Sequence, residues 1–501
     1  MRCMDEEQEG RGPGIALRRR WWVITTYFAE GFPYALVRLL STAYFKEHGA
    51  SLQAIGLTSL FGIPWTVKFL WAPFIDTFST KRRWLVTVEG FIVGGLVLLG
   101  IVSRLPAALL AGSVVFLLLA CLSATHDIAI DGYYLEALGD RDRARYVGFQ
   151  SAAYRVAMIA GGGGIAYLAG RFSWLLGYLA AAGLLLIVWT AHTLRLPRIE
   201  RPQRPAAELA AWLLRWRHLL LALAAVAVVG GLWVVFHIEP MASWSRPLAS
   251  ISPPMWVVIA LLVALAVLAV RAPALKRALY ASDSHYALAF VDYLDRPRIG
   301  VVLAFIATFR VGEALLQSMA YPFLRDVGIT LEQYGLAHNT FGILATILGS
   351  ILGGLFIARF GLRRCMWPFV LALNSLDVLY MLLALKYRAV LADPTAGRAS
   401  FPLVAALISV EALGAGFGQA AFMVFIMRTT KKAYKAAHFA IGTGLMNIAG
   451  TLAGVVSGFL AAAIGFPLYF GLIFLFTVPN MALIPFLPHL DSPGGPDGEG
   501  G

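Results

Sequence analysis

Apolar runs of about twenty residues, separated by short polar stretches, recur along the whole chain, and runs of that length predict helices that cross a lipid bilayer. Fourteen are read: 22–45, 55–75, 84–103, 107–131, 147–170, 174–195, 218–238, 254–270, 299–321, 334–358, 366–386, 402–427, 438–463 and 467–487. The pattern predicts an all-α membrane protein. The polar, acidic start "MRCMDEEQEGRGPG" is expected to be a cytoplasmic tail and not a cleaved signal peptide. The end, "DSPGGPDGEGG", is expected to be disordered.

Composition agrees with a bilayer. Of 501 residues, 59% are hydrophobic and 14% charged, against about 25% charged in a soluble domain. The net charge of +13 raises the question of nucleic acid. The basic residues, however, fall in short clusters between apolar runs and not on one face, so no nucleic-acid partner is expected. With both termini inside, 29 of the 41 Lys and Arg lie in cytoplasmic segments and 8 in external ones, which fixes the orientation. Cys3, Cys121 and Cys365 are scattered and suit neither a disulfide framework nor a zinc site. No metal or cofactor is expected. The chain has no G-x-S-x-G, no H-E-x-x-H and no cluster among its nine histidines, so an intramembrane enzyme is not expected either.

An internal repeat sets the architecture. "FGIPWTVKFLWAPFIDTFSTKRRW" from Phe61 and "FGILATILGSILGGLFIARFGLRRCMW" from Phe341 are the same element, an apolar helix ending in a basic cytoplasmic turn. Both copies point the same way, so the repeat is parallel, related by an axis along the membrane normal. Their spacing of 280 residues exceeds one six-helix half, and the segments 218–238 and 254–270 account for the excess as an inserted pair. The expected organisation is a tail 1–21, a six-helix bundle 22–195, a linker 196–298 carrying the pair, a second bundle 299–487 and a tail 488–501. The turn "DTFSTKRR" resembles the signature between the second and third helices of major facilitator transporters, without its usual glycine. Asp76, Arg82 and Arg83 then have two readings, a gating latch at the cytoplasmic face or ordinary positive-inside loop chemistry. Gly161 to Gly164, and Gly414, Gly416 and Gly418, are read as sites of close helix packing or bending.

Charges within the apolar runs carry the functional signal. Arg38, Lys68, Arg155 and Arg310 are basic; Glu30, Glu89, Asp127, Asp131, Glu313, Asp377 and Glu411 are acidic. Each costs at least about 2.5 to 3.5 kcal/mol at mid-helix unless it faces a partner or a wet cavity, so a polar cavity between the halves is expected. Asp127 and Asp131, four apart, share one helix face. Both stay ionised only beside a cation such as Arg155, and otherwise one takes a proton. Arg310 and Glu313, three apart, suit a self-neutralising pair. His126 is read as a hydrogen-bonded core residue ahead of a relay, and Tyr133 and Tyr134 as interface-belt aromatics ahead of a sugar-stacking platform.

At these residues the chain resembles a known family. "KFLWAPFID" from Lys68, "SATHDIAID" from Ser123, "YRVAM" from Tyr154, "RVGE" from Arg310, "TFGILATI" from Thr340 and "EALGAGFGQAAF" from Glu411 are similar to runs of AmpG-type permeases, in the peptide/acetyl-coenzyme A transporter branch of the major facilitator superfamily. The resemblance implies a major facilitator fold of two six-helix bundles plus the inserted pair. It also implies a bacterial inner-membrane setting and proton-coupled import of anhydro-muropeptides, which are anionic sugar-peptides. Asp127, Asp131 and Glu313 are the expected proton-coupling residues; Lys68, Arg155, Arg310, Glu30, Tyr134 and Glu411 are expected to bind substrate. His126 stands where these permeases usually carry Gln, and Asn339 where the eighth helix carries Lys, so substrate identity does not follow from the resemblance. A carrier of acetyl-coenzyme A or another anionic solute is the alternative, and a sensor that binds without transporting is the third reading.

Overall fold

The computed structural model describes residues 21–68, 71–198, 298–429 and 435–488, with isolated positions from 204 to 295 and at 490. The inserted pair expected at 218–238 and 254–270, and nearly all of both expected tails, lie outside the described residues. Within them the chain is helical and contains no β-strand. Eight helices there are long and apolar enough to cross a membrane. Their outward faces are apolar too: Leu110, Ile187 and Leu468 are 75%, 70% and 69% exposed, as suits contact with lipid tails.

In chain order the helices are α1 (Trp21–Glu47), α2 (Leu52–Leu57), α3 (Ile63–Val67), α4 (Ala72–Thr77), α5 (Lys81–Val102), α6 (Ala108–Ala137), α7 (Asp140–Met158), α8 (Ile165–Arg171) and α9 (Trp174–Arg195). They continue with α10 (Ile299–Phe309), α11 (Val311–Asp326), α12 (Leu331–Leu336), α13 (Ile343–Phe360), α14 (Leu362–Ser375), α15 (Val378–Lys386), α16 (Phe401–Arg428) and α17 (Lys435–Leu483). The run expected at 55–75 is broken, not continuous. Pro64 and Pro73 fall at the starts of α3 and α4, where a missing N–H loses no helical hydrogen bond. Within α17 the helix breaks at Gly465, whose φ of 74° is non-helical, so the span is two helices and the break falls between the expected segments 438–463 and 467–487. The chain forms two compact units, Met1–Ser41 with Val67–Ala210 and Thr42–Thr66 with Ala211–Gly501.

In the first unit, α5 packs against both α6 and α9. Its core gathers Trp22, Tyr27, Leu85, Ile130, Tyr133 and Tyr134. Tyr133 and Tyr134 are therefore not belt residues: they are 1% and 6% exposed. Trp22 meets both edge-on, at 5.1 and 6.5 Å between centroids, and the Tyr133 hydroxyl donates to the Pro197 carbonyl at 2.9 Å. Tertiary packing thus satisfies both the ring and the hydroxyl that a membrane interface would otherwise satisfy. The turn before α5 places Ser79 at φ 60°, a left-handed conformation that suits the glycine missing from "DTFSTKRR".

In the second unit the two copies of the repeat can be compared one by one. Ser51 caps α2 by accepting from the Ala54 N–H, and Thr330 caps α12 in a capping box with Gln333. A non-α turn then closes on Phe-Gly and an Ile opens the next helix, with a 3₁₀ turn at Thr58–Gly62 and a π turn at Ala337–Gly342. Ser51 to Ile63 is one residue shorter than Thr330 to Ile343, and the turn type absorbs that residue. Glycines pack α16 tightly. A methyl group on Gly349 of α13 would lie 2.2 Å from the Leu413 carbonyl oxygen, and one on Gly414 would lie 2.4 Å from Leu376. Lys46 binds Asp326 at 2.6 Å and Arg325 binds Glu47 at 2.6 Å, tying the end of α1 to the end of α11.

Candidate functional site

The expected site charges of the first unit converge from three elements. Glu30 comes from α1, Lys68 from the end of α3, and Asp127 and Asp131 from successive turns of α6. One oxygen each of Glu30, Asp127 and Asp131 lies within 4.8 Å of the others, and Lys68 Nζ is in direct contact with Asp127 Oδ2. The pair is only partly withdrawn from solvent, at 32% side-chain exposure for Lys68 and 11% for Asp127. Tyr27, one turn before Glu30 on α1, donates to Asp131 Oδ1 at 3.1 Å. Trp71 donates to Thr125 Oγ1 at 3.1 Å, bracing the segment after Lys68 against α6. Glu30 Oε2 is buried with no hydrogen-bond partner among the described residues.

Three carboxylates thus share one ammonium group. Like charges this close, in surroundings of low dielectric, repel one another strongly, and Lys68 offsets part of that repulsion. The Lys68 ammonium is a compact point charge on a flexible stem. The cation on Asp127 is Lys68 and not Arg155, which is exposed and forms no ion pair among the described residues. Arg155 follows Tyr154, whose carbonyl would lie 3.0 Å from a methyl group on Gly31 of α1. That close approach brings α7 alongside the cluster. Tyr134 is buried edge-on against Trp22 and Tyr27.

Of the expected latch residues, the side chains of Arg82 and Arg83 are described. Arg82 donates to the carbonyls of Leu196 and Thr193 at 2.8 and 2.7 Å, capping the end of α9 as cations do at helix C-termini. Arg83 is exposed. Asp76 lies on α4, and its side chain is outside the described residues.

In the second unit Arg310 makes two hydrogen bonds to Glu313, at 3.0 and 2.9 Å. It sits at the break between α10 and α11, with φ −98° and ψ 7°. Glu411 and Asp377 are each 2% exposed, and a methyl group on Gly312 would approach Asp377 Oδ2 at 3.5 Å. Asn339 is fully buried beside His338, whose Nδ1 lies 3.1 Å from the Asn339 carbonyl oxygen.

Tyr27, Trp71 and Thr125 were not singled out by sequence. Tyr27 carried a usable signal, since it lies three residues before Glu30 and so on the same face of α1. Trp71 and Thr125 lie within the quoted runs "KFLWAPFID" and "SATHDIAID", but no spacing in the sequence said that they meet.

Comparison with known proteins agrees with this architecture. The Major Facilitator Superfamily model matches residues 301–500. The chain is 22% identical over 468 residues to the anhydromuropeptide permease of Escherichia coli strain K12, covering 91% of this chain and 77% of that one. It is 19% identical over 471 residues to the putative transporter AmpG 4 of Rickettsia conorii, covering 91% and 94%. Among solved structures, the peptide transporter POT in complex with sulfate superposes with a TM-score of 0.62 at 15% identity, over 93% of this chain and 94% of that one. With its apolar outer helices and these likenesses, the chain is a multi-pass membrane transporter similar to members of the major facilitator superfamily and to AmpG-type permeases.

Proposed function

We propose that the chain imports anhydro-muropeptides across a bacterial inner membrane, driven by protons, by alternating access of two six-helix bundles. One observation supports the proton coupling: carboxylate atoms of Glu30, Asp127 and Asp131 lie within 4.8 Å of one another, with Lys68 in contact with Asp127. An anionic substrate that draws Lys68 away leaves Asp127 favouring its protonated form, and release of the substrate reverses the exchange. Coupling thus needs only one ammonium group and two competing anions. The substrate class rests on the relatives named as anhydromuropeptide permeases. Arg155 and Arg310 are the further cations proposed for the substrate's anionic groups, with Glu411 and Tyr134 beside its polar ones. Asp76, Arg82 and Arg83 are the proposed cytoplasmic latch. Both termini are placed in the cytoplasm, and the inserted pair, which would bring the count to fourteen helices, is assigned a connecting role.

The test is uptake of radiolabelled anhydro-muropeptide into proteoliposomes holding the full-length protein, against exchange of external label for internal substrate. Asp127→Asn and Asp131→Asn should each abolish gradient-driven accumulation while exchange persists. Normal accumulation by both variants refutes the assignment.

A further inference from the structure

A second buried polar network lies in the first unit, outside the Lys68 cluster. His192 of α9 places Nδ1 at 2.8 Å from Glu89 Oε2 of α5, and Nε2 at 2.9 Å from Thr25 Oγ1 of α1. Trp21 stacks on the imidazole at 6.0 Å between centroids. Glu89, His192 and the nearby His126 of α6 are all 0% exposed. Among the described residues Glu89 Oε1 and both ring nitrogens of His126 have no hydrogen-bond partner. Unpartnered buried polar atoms are rare and destabilising, and in native proteins they call for a reason beyond packing. A hydrophobic trio would tie α1, α5 and α9 together at lower cost.

We propose that Glu89 and His192 form a second proton-binding site, distinct from the carboxylate cluster, and that Thr25 conveys its state to α1. The proposal deepens the proton-coupled reading and rests on it for its link to transport. The hydroxyl of Thr25 makes two proton states satisfiable without moving a heavy atom. When Nε2 is bare, the Thr25 O–H donates to it. When Nε2 gains a proton, its N–H donates to Thr25 Oγ1, and the hydroxyl turns to the carbonyls of Trp22 and Trp21, at 3.3 and 3.5 Å. One N–H bond forms as one O–H bond of a hydronium ion breaks, leaving water, and the reverse step returns the proton to water, while the Nδ1–H of His192 goes on donating to Glu89. The hydrogen bonding of the first turn of α1 therefore changes with the charge of the pair. Tyr27 and Glu30, members of the other cluster, follow on the next turns of α1.

The groups facing the site come from every element around it. His126 of α6 interacts electrostatically with His192. Arg82 of α5 reaches the His192 carbonyl at 3.4 Å. On α1 the facing groups, Thr25 and Trp21, carry no charge.

The first experiment needs no substrate. Full-length protein labelled with ring-¹⁵N histidine is titrated in detergent micelles between pH 5 and pH 9, with His192→Gln used only to assign the signal. The expected result is a His192 Nε2 resonance that passes from bare to protonated within the range, with a midpoint that moves in Glu89→Gln. A resonance fixed across the range, or a midpoint indifferent to Glu89→Gln, overturns the proton site.

The second experiment is proteoliposome uptake of anhydro-muropeptide. Thr25→Val should lower proton-driven accumulation by about tenfold, the size of one lost buried hydrogen bond, and shift its pH profile. Thr25→Ser, which keeps the hydroxyl, should restore the wild-type profile. An unshifted Thr25→Val profile, or failure of Thr25→Ser to rescue, overturns the role given to α1. Wild-type protein that moves no muropeptide refutes the substrate reading alone, because the histidine titration judges the proton site independently.

Discussion

Replacing Lys68 by methionine removes the one ammonium group shared by Glu30, Asp127 and Asp131 while keeping most of the side-chain volume. The structure bounds the loss. Deleting one partner of a fully buried pair costs about 3 to 5 kcal/mol, and of an exposed pair about 0 to 1 kcal/mol. With side-chain exposures of 32% and 11% the Lys68–Asp127 pair lies between these limits, so about 2 kcal/mol is expected. In a thermal melt of purified protein this corresponds to a drop of roughly 4 to 8 °C. The diagnostic measurement is the double-mutant cycle. Asp127→Asn on its own removes the strongest anion but leaves Lys68 short of a partner, whereas the double variant removes both charges together. Lys68→Met/Asp127→Asn should therefore melt well above the sum of the two single losses, close to wild type. Strictly additive losses would mean that the two side chains do not act on each other, and the charge argument for the cluster would fall.

Three further outcomes follow from backbone and packing geometry. Gly349→Ala forces a methyl group to 2.2 Å from the Leu413 carbonyl oxygen, whereas Gly354→Ala, five residues along the same helix, meets nothing within 4 Å. The first should lose about 1 to 3 kcal/mol or fail to fold, the second should melt like wild type, and equal melting of the two contradicts the packing of α13 on α16. Ser79→Gly relieves a left-handed residue at φ 60° and should stabilise by up to about 1 kcal/mol, so a lowered melting temperature counts against the turn described. Glu47→Arg and Arg325→Glu should each destabilise, and the exchanged pair should recover most of the loss because Arg325 Nε binds Glu47 Oε1 at 2.6 Å; a double variant worse than either single one rules the pairing out.

Features that depend on local periodicity and solvent class could be read from the chain alone. Run length and the scarcity of charge set the membrane helices, and a spacing of four put Asp127 and Asp131 on one face. A spacing of three likewise allowed Arg310 to meet Glu313 within one helix break. The repeat from Phe61 and Phe341 was legible because both copies open an apolar run with Phe-Gly-Ile and end it in a basic turn. Which charges meet across helices emerged only from the packed fold. Helical periodicity gives the face a residue occupies but not the neighbour that face receives, so nothing local told Lys68 from Arg155 as the partner of Asp127, 59 residues away from Lys68. The same holds for Glu89 and His192, 103 positions apart, and for Tyr134, whose burial depends on Trp22 and Tyr27 arriving from α1. An intramembrane charge tells that it must be paired, because leaving it bare in lipid is too unfavourable; the partner is chosen by the packing of glycines such as Gly31 and Gly349, which let one helix backbone approach another closely enough for side chains to meet.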